Sequence, residues 1–224
     1  MNQIDSDRLK KIEKDIRDFY RQQSWLVRLY QKIKFKICPL LPLESYFPPE
    51  GTILDLGCGQ GLFSLILYLG SPKRKIIGVD LDEKKIEKAK ELVGSIQNLS
   101  FTRQDIIQDD YPAVDAVALI DVLYLLPYET HLHIFKKVND CLPPHGLFLL
   151  KEMDTRPRWK YLWNILQETL AVKIIGFTLG SRFYFRSQKD MLLLLNQAGF
   201  QTKVINLHQG YWYPHIAYLC HKKT

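Results

Sequence analysis

A glycine-rich loop between a short apolar strand and an apolar helix is the strongest chemical signal in the sequence. Residues 52–61 read TILDLGCGQG, and the apolar run 62–69 follows them. Gly57, Gly59 and Gly61 lack a Cβ atom, so a ligand can lie against the backbone there. The amides that open the next helix point toward such a ligand. The order of strand, glycine turn and helix therefore predicts a nucleotide-type cradle.

The spacing of the glycines argues against a dinucleotide. That fingerprint, G-x-G-x-x-G, needs its third glycine at position 62, where the chain has Leu62, and the glycine comes one residue earlier, at Gly61. Asp55, in the strand before the loop, would repel a pyrophosphate but suits a ligand with an ammonium group. The stretch 53–61 resembles the first motif of the class I S-adenosylmethionine-dependent methyltransferases, whose cofactor carries an ammonium and no phosphate. The alternative is a tight turn without a ligand.

The resemblance implies where the rest of this cofactor would bind. Asp80, which ends the second predicted strand, occupies the position of the acid that binds both ribose hydroxyls, and Leu81 would form an apolar wall for the adenine. Asp105 and Ile106 match the positions that meet the adenine amino group and ring. Asp121, after the fourth predicted strand, would lie beside the transferable methyl. The predicted cofactor-binding residues are Asp55, Gly57, Gly59, Gly61, Asp80, Leu81, Asp105, Ile106 and Asp121.

Each of these acids has a simpler alternative. Without a ligand, Asp80 would be an exposed acid that caps the next helix, although Asp82 is better placed for that role. Asp105 is an acid in a loop after a strand, which is common without any ligand. Asp121 could cap or orient its own loop without contacting a ligand.

Methyl transfer from a sulfonium is an in-line displacement, so the enzyme must align the reactants and, for some acceptors, remove a proton. The candidates for this chemistry are Asp121, Tyr124, His208 and His215. The sequence Asp121-Val-Leu-Tyr124 departs from the Asn/Asp-Pro-Pro-aromatic motif of enzymes that N-methylate adenine or cytosine, which disfavours that reaction. His131 and His133 are predicted to lie on the surface.

Alternating strand and helix patterns predict a doubly wound, mostly parallel sheet of seven strands. Two final strands without a helix between them predict an antiparallel hairpin at its end, and a proline-rich stretch, 39–49, should break the chain before the first strand. Strands are predicted at 52–56, 75–79, 99–102, 113–120, 146–151, 201–207 and 216–221, and helices at 5–37, 62–69, 83–93, 128–141 and 187–198.

This organisation predicts two regions. Residues 1–50 form a basic helical extension, and 51–224 form the domain that resembles the methyltransferases. Within it, 152–186 is longer than a simple crossover requires. In the methyltransferases that the chain resembles, insertions at this place often build the lid over the acceptor, so the resemblance implies a lid here. Its aromatic content suits an apolar acceptor, and Arg182 and Arg186 would hold an acidic head group.

Composition limits the setting of the protein. The chain has 224 residues, a net charge of +7 and four widely spaced cysteines, which argues against a zinc site or a disulfide framework; no metal is predicted. Without a visible signal sequence or an apolar run of 18 residues, a cytoplasmic protein is expected. The basic N-terminal helix, with Trp25, Leu26, Leu29, Tyr30, Ile33 and Phe35, would either lie on an anionic membrane surface or cover the cofactor entrance.

Three functional hypotheses follow from these patterns. The first is an S-adenosylmethionine-dependent methyltransferase that acts on a small acceptor of lipid-like or polyketide-like character. The second, suggested by the positive charge, is an RNA methyltransferase, although the sequence contains no recognised RNA-binding module. The third is a non-catalytic module that binds S-adenosylmethionine or associates with a membrane.

Overall fold

The computed structural model describes residues 3–153, 183–207, 211 and 214–223, and within them seven strands form one sheet. The strands are β1 (Gly51–Leu56), β2 (Arg74–Asp80), β3 (Leu99–Arg103), β4 (Ala116–Ile120), β5 (Leu147–Met153), β6 (Phe200–Asn206) and β7 (His215–Lys222). The helices are α1 (Gln3–Phe19), α2 (Trp25–Ile37), α3 (Leu40–Glu44), α4 (Leu62–Gly70), α5 (Glu83–Val93), α6 (Tyr128–Cys141) and α7 (Gln188–Gln197). Short 3-10 turns occupy Tyr20–Gln22 and Leu123–Leu125.

The strand order is β3-β2-β1-β4-β5-β7-β6, with β1 to β5 parallel and β7 antiparallel to both β5 and β6. The predicted fold class is thereby confirmed. At the centre of the sheet, Leu56 at the end of β1 lies beside Val79 of β2 and Leu119 of β4. The chain leaves β1 in one direction and β4 in the other, so a crevice opens beyond their carboxyl ends.

The bounds predicted for α5 and α6 are the ones that the structure shows. The start of α5 is fixed by Asp82, whose carboxylate accepts hydrogen bonds from the backbone amides of Lys84 and Lys85, as its N-cap position predicts. The predicted break at 39–49 is wrong in part, because it contains α3. Pro42 lies in the first turn of that helix, where a backbone N–H would have no partner within the helix.

Each face of the sheet is covered by a separate hydrophobic core. One core contains Ile53 and Ile76 from the sheet, Leu65 of α4, and the N-terminal residues Ile16 and Leu43. The other core lies beneath α6 and α7 and includes Leu54, Val117, Phe135, Phe148 and Leu195. The helices before β1 are therefore a packed layer of the same hydrophobic unit as the sheet.

A buried ion-pair cluster fastens these N-terminal helices to the sheet. The Glu44 carboxylate accepts hydrogen bonds from Arg74 Nη1 at 2.5 Å and from Arg8 Nη2 at 2.6 Å. Arg74 also donates to the carbonyls of Phe47, Pro48 and Leu67, so its guanidinium is enclosed by acceptors. In the described part of the chain, no helix is long and apolar enough to cross a membrane.

Candidate cofactor site

The glycine loop runs from β1 to α4 and is held against β2. The amides of Gly57 and Cys58 both donate to the carbonyl of Val79, at 2.7 and 2.9 Å. Gly61, with φ of +78°, is the N-cap of α4, and a Cβ atom there would lie 2.6 Å from the Phe101 ring. A Cβ at Gly59 would meet nothing within 4 Å, so this glycine faces open space.

Beside Gly59 lies a cavity of about 350 Å³, a volume near the lower end for small-molecule sites. It contains eight of the nine predicted cofactor-binding residues in its lining; the exception is Gly61, whose role in the structure is to start α4. The N-terminal helices also contribute to the wall. Their residues in the lining are Tyr20, Lys34 and Leu40.

Asp80, the last residue of β2, is held at the cavity wall by two backbone amides. Its Oδ2 accepts a hydrogen bond from Gly59 N at 2.9 Å, and its Oδ1 accepts one from Asp82 N at 3.0 Å. Because each carboxylate oxygen has a second lone pair, both oxygens can accept a further hydrogen bond from a ligand. Leu81, next in the chain, is 49% exposed and lines the same cavity.

The loop after β3 supplies a third part of the cavity wall. The carboxylate of Asp105 accepts a hydrogen bond from Ile107 N at 2.8 Å, while Asp105 N donates to the Asp109 carboxylate at 2.7 Å. These bonds fix the loop so that Asp105 and the mostly buried Ile106 both reach the cavity. An acid and an apolar side chain therefore lie next to each other in the cavity lining, to which Leu81 also belongs.

Asp55, on β1, lies at the other end of the loop and is almost fully buried. Its Oδ2 accepts a hydrogen bond from Ser64 Oγ at 2.5 Å. Burial raises the pKa of Asp55 to about 7; the Ser64 hydroxyl opposes this shift, and the negative charge of Asp80 adds to it. A cationic group in the cavity would restore the charged form of Asp55.

Asp121, immediately after β4, has a φ of +55° and lines the cavity. Its Oδ1 lies 2.5 Å from Lys151 Nζ, and its Oδ2 lies 3.4 Å from Cys38 Sγ and 3.7 Å from Lys34 Nζ. Burial alone would raise the pKa of this carboxyl, but Lys151 and then Lys34 outweigh it and hold the pKa well below its usual range. A carboxylate held so firmly in its charged form is a poor general base.

The other catalytic candidates lie elsewhere. His215, at the start of β7, donates from Nε2 to the Ile37 carbonyl at 2.6 Å and does not line the cavity. Burial, followed by the charge of Lys151, lowers the pKa of His215 to about 3. Tyr124 also lies outside the cavity lining, stacked on Phe185 with 5.0 Å between ring centroids. His208 falls outside the described residues, as does most of the predicted lid, including Arg182.

The prediction that His131 lies on the surface is wrong. His131 is fully buried on α6, where Nε2 donates to the Leu126 carbonyl and Nδ1 accepts from Arg186 Nε, both at 2.9 Å. Arg186 also donates to the Tyr128 carbonyl at 2.8 Å and lies over the Tyr128 ring. The structure therefore gives Arg186 a packing role that differs from the predicted acidic head-group contact.

Sequence reasoning missed the polar residues that surround Asp121. Lys151 is fully buried in β5 and lies 30 residues from Asp121 in the chain. Cys38, which follows α2, lies 83 residues from Asp121. A single lysine within the strand pattern LFLLKEM gives no indication of an ion pair. Lys34 was one of many basic residues in the N-terminal segment, and only the packing of α2 against the sheet distinguishes it.

Comparison with known proteins identifies the family. The family model described as "Methyltransferase domain" matches residues 49–198, more than half of the chain, and the chain therefore belongs to this family. The resemblance found in the sequence is thereby confirmed.

Two curated relatives are methyltransferases whose names include a small molecule or a carrier-bound acyl group. Trans-aconitate 2-methyltransferase of Sinorhizobium fredii is 29% identical over 164 residues, which cover 71% of this chain and 61% of that protein. Malonyl-[acyl-carrier protein] O-methyltransferase of Legionella pneumophila is 26% identical over 200 residues, covering 85% and 63%. The chain thus spans less than two thirds of the length of either relative.

A solved structure shows the same fold over nearly the whole chain. Magnesium protoporphyrin IX methyltransferase from Synechocystis PCC 6803, crystallised with bound S-adenosylhomocysteine, superposes with a TM-score of 0.66 at 19% identity. The match covers 99% of this chain and 96% of the other.

Proposed function

We propose that the protein binds S-adenosylmethionine in the cavity beside the glycine loop and transfers its methyl group to a small organic acid. The observation that carries the cofactor assignment is Asp80, held by the amides of Gly59 and Asp82 at a wall of the cavity. Two oxygens fixed in this way suit the two hydroxyls of a ribose. Leu81 and Ile106 would then hold the adenine between apolar side chains.

The methionine end of the cofactor would lie between β1 and β4. Asp55 lines this end of the cavity, and because burial raises its pKa, its carboxylate would be stabilised by a nearby ammonium. Asp121 lines the same end, where its carboxylate stays charged beside Lys151 and Lys34. The residues of this chain would therefore bind and align the cofactor, and the bound cofactor would supply the transferable methyl.

The proposal of an acid as acceptor rests on the proton balance. No histidine lines the cavity in the described residues, and Asp121 and His215 are both poor bases there. A carboxylate oxygen needs no base, because it is already anionic at neutral pH. The names of the two relatives point the same way, since trans-aconitate and a malonyl group both carry carboxylates. The lipid-like or polyketide-like acceptor rested on 152–186, most of which the structure does not describe.

Replacing Asp80 tests the cofactor assignment. We expect Asp80→Ala to weaken S-adenosylhomocysteine binding in calorimetry by about 3 kcal/mol, roughly a hundredfold in Kd, because two hydrogen bonds to a charged group are lost. Asp110→Ala, at an exposed acid outside the cavity lining, is the matched control and should bind normally. Equal affinities for the two variants, or binding of NADH in place of S-adenosylhomocysteine, would refute the assignment.

Activity is tested separately from binding. We expect label to pass from S-[methyl-³H]adenosylmethionine to members of a panel of di- and tricarboxylic acids. If the product is a methyl ester, mild alkali should release the label as methanol. Label in RNA, together with strongly salt-dependent RNA binding, would favour the RNA methyltransferase instead. Cofactor binding without transfer to acids, RNA or cell extract would favour the non-catalytic module.

We also propose that α2 rests on an anionic membrane surface. Among its described side chains, three apolar ones are exposed at helical spacing: Trp25 (70% exposed), Leu29 (45%) and Ile33 (48%). The exposed cations of the same helix are Arg28, Lys32 and Lys36, and its sequence contains no acidic residue. An apolar stripe surrounded by positive charge fits a bilayer that contains acidic lipids.

Vesicle sedimentation tests this docking surface. For a variant with Trp25→Ser, Leu29→Ser and Ile33→Ser, the partition coefficient to phosphatidylserine vesicles should fall about tenfold or more. The reason is that three apolar side chains no longer enter the membrane interface. Leu193→Ser removes an equally exposed leucine on α7 and is the control. These substitutions are preferable to deleting residues 1–40, since Ile12 and Ile16 belong to the core. Unchanged partitioning of the triple variant, or equal binding to phosphatidylcholine alone, would contradict the proposal.

A further inference from the structure

Lys34 differs from the other basic residues of α2 in the direction it faces. At 100° per residue, Lys34 lies on the side of the helix opposite Lys36, and it is only half-buried while Lys36 is exposed. Its Nζ reaches to 3.7 Å from Asp121 Oδ2, and its side chain lines the cavity. The N-terminal helix layer thus places a cation inside the candidate site.

Two lysines lie near the Asp121 carboxylate. Lys151 is fully buried and lies 2.5 Å from the carboxylate, so this pair is already neutral as a unit. Lys34 adds a second cation to the same carboxylate at a longer distance. The thiol of Cys38 is uncharged because burial raises its pKa, and His215 is neutral because burial lowers its pKa. The ammonium of Lys34, which lines the cavity at the longer distance from Asp121, can therefore donate a charge-assisted hydrogen bond to an incoming anion.

The other cation of the described cavity lining is far less suited to that anion. Lys85 belongs to the ribose side, where its Nζ lies 4.0 Å from the Asp82 carboxylate. Of the two lysines in the described lining, Lys34 is therefore the one that lies at the end of the cavity formed by Asp55 and Asp121. We infer that Lys34 binds a carboxylate at this end of the cavity, a role that rests on the proposed function.

Two ligands of the proposed reaction carry such a group. One is the cofactor, whose methionine end has a carboxylate next to its ammonium, and the other is an acid acceptor. Both would place the carboxylate where a charge-assisted hydrogen bond from Lys34 Nζ could form, in exchange for its longer contact with Asp121. Removing Lys34 is compatible with folding, because Asp121 keeps Lys151 as its close partner.

The test compares Lys34→Gln with Lys36→Gln, a control on the exposed side of the same helix. Calorimetry would measure S-adenosylhomocysteine, 5′-methylthioadenosine, which lacks the amino-acid part, and trans-aconitate added to the S-adenosylhomocysteine complex. If the carboxylate comes from the cofactor, Lys34→Gln weakens S-adenosylhomocysteine by about ten- to a hundredfold and leaves 5′-methylthioadenosine unchanged. If it comes from the acceptor, S-adenosylhomocysteine is unaffected and trans-aconitate weakens by a similar factor, with Lys34→Arg restoring part of the loss.

Several outcomes would overturn the inference. They are unchanged affinities for all three probes, a weakening of 5′-methylthioadenosine equal to that of S-adenosylhomocysteine, and unchanged S-adenosylhomocysteine with no binding of trans-aconitate to the unsubstituted protein. Failure of the proposed function looks different, because the unsubstituted protein would then not bind S-adenosylhomocysteine at all. The two failures can therefore be told apart in one set of titrations.

Discussion

At the scale of single residues, Asp121 shows how the fold stabilises an unfavourable conformation. A positive φ at a residue other than glycine costs on the order of 1–3 kcal/mol and persists only where the surroundings enforce it. Here the Asp121 amide donates to the Lys151 carbonyl at 2.9 Å, and its carboxylate pairs with Lys151 Nζ. One residue of the neighbouring strand thus holds both the backbone and the side chain of Asp121 at the cavity wall.

The raised pKa of Asp55 predicts a pH dependence of cofactor binding. Because the free site binds a proton at Asp55 with a pKa of about 7, and an ammonium ligand would displace that proton, affinity should rise with pH up to about 7 and level above it. We expect a roughly tenfold gain for S-adenosylhomocysteine between pH 6 and 8. Asp55→Asn should bind more weakly and show no such slope.

Calorimetry at several pH values would measure this effect, with 5′-methylthioadenosine as the ligand without an ammonium. Glu152, whose pKa burial raises to about 8, does not line the cavity and should contribute little. An equal pH slope in Asp55→Asn would show that another group is responsible.

At the scale of elements, the segment 183–186 is fastened to the 3-10 turn by a backbone hydrogen bond and to α6 by side-chain hydrogen bonds. Tyr184 N donates to the Tyr124 carbonyl, and Tyr128 OH donates to the Phe185 carbonyl, both at 2.7 Å. His131 completes the attachment by joining Arg186 to the Leu126 carbonyl. The start of α7 is therefore positioned relative to α6 before the helix itself begins.

His131→Leu should destabilise the protein by about 2–4 kcal/mol, because it leaves the Leu126 carbonyl and the Arg186 guanidinium without their buried partner. Urea unfolding would measure the loss, and His133→Leu, at an exposed position on the same helix, should cost little. Burial, with Arg186 adding to it, lowers the pKa of His131 to about 4, so its stabilising contribution is complete above pH 6.5 and declines as the pH falls toward 4. If the stability of His131→Leu declined between pH 6.5 and 4 as much as that of the unsubstituted protein, this role of His131 would be contradicted.

The sequence predicted elements best where a local signal marks their ends. Helix α5 begins after the Asp82 cap, and the glycine loop fixed the junction between β1 and α4. Helix α3 was missed because its prolines read as breakers, although Pro42 occupies a helical position that tolerates it. His131 and Lys151 were missed for another reason: their partners are distant in the chain, and no periodicity reveals a contact between separate elements.

At the scale of the whole molecule, the N-terminal helices belong to the hydrophobic unit of the methyltransferase fold. Ile12 and Ile16 of α1 are buried in the core that also contains Leu65 of α4, and Tyr20 and Leu40 line the cavity. The sequence predicted a helical extension that would either meet a membrane or cover the cofactor. The packing supports the covering role through one face of α2 and leaves the other face exposed for the proposed membrane contact.

Glu44→Gln should reveal how strongly this layer is attached. We expect a loss of about 3–5 kcal/mol, because Arg74 would remain buried without its counter-charge. Urea unfolding should still follow one transition, since the helices and the sheet share a core. Glu50→Gln, at an exposed glutamate in the same connection, is the control and should be within about 0.5 kcal/mol of the unsubstituted protein. A similar stability for both variants would mean that apolar packing alone holds the layer.

The anchoring of segment 183–186 also bears on how this protein could be engineered. The chain leaves β5 between β4 and β7 and returns at a segment that α6 holds in place. Both ends of the intervening stretch are therefore fixed by the body of the protein. Because a flexible loop between fixed ends costs only about 0.6 kcal/mol more for each doubling of its length, flexible stretches of different lengths could be grafted between residues 153 and 183. Such chimaeras would exchange the part predicted to choose the acceptor while keeping the cofactor half unchanged.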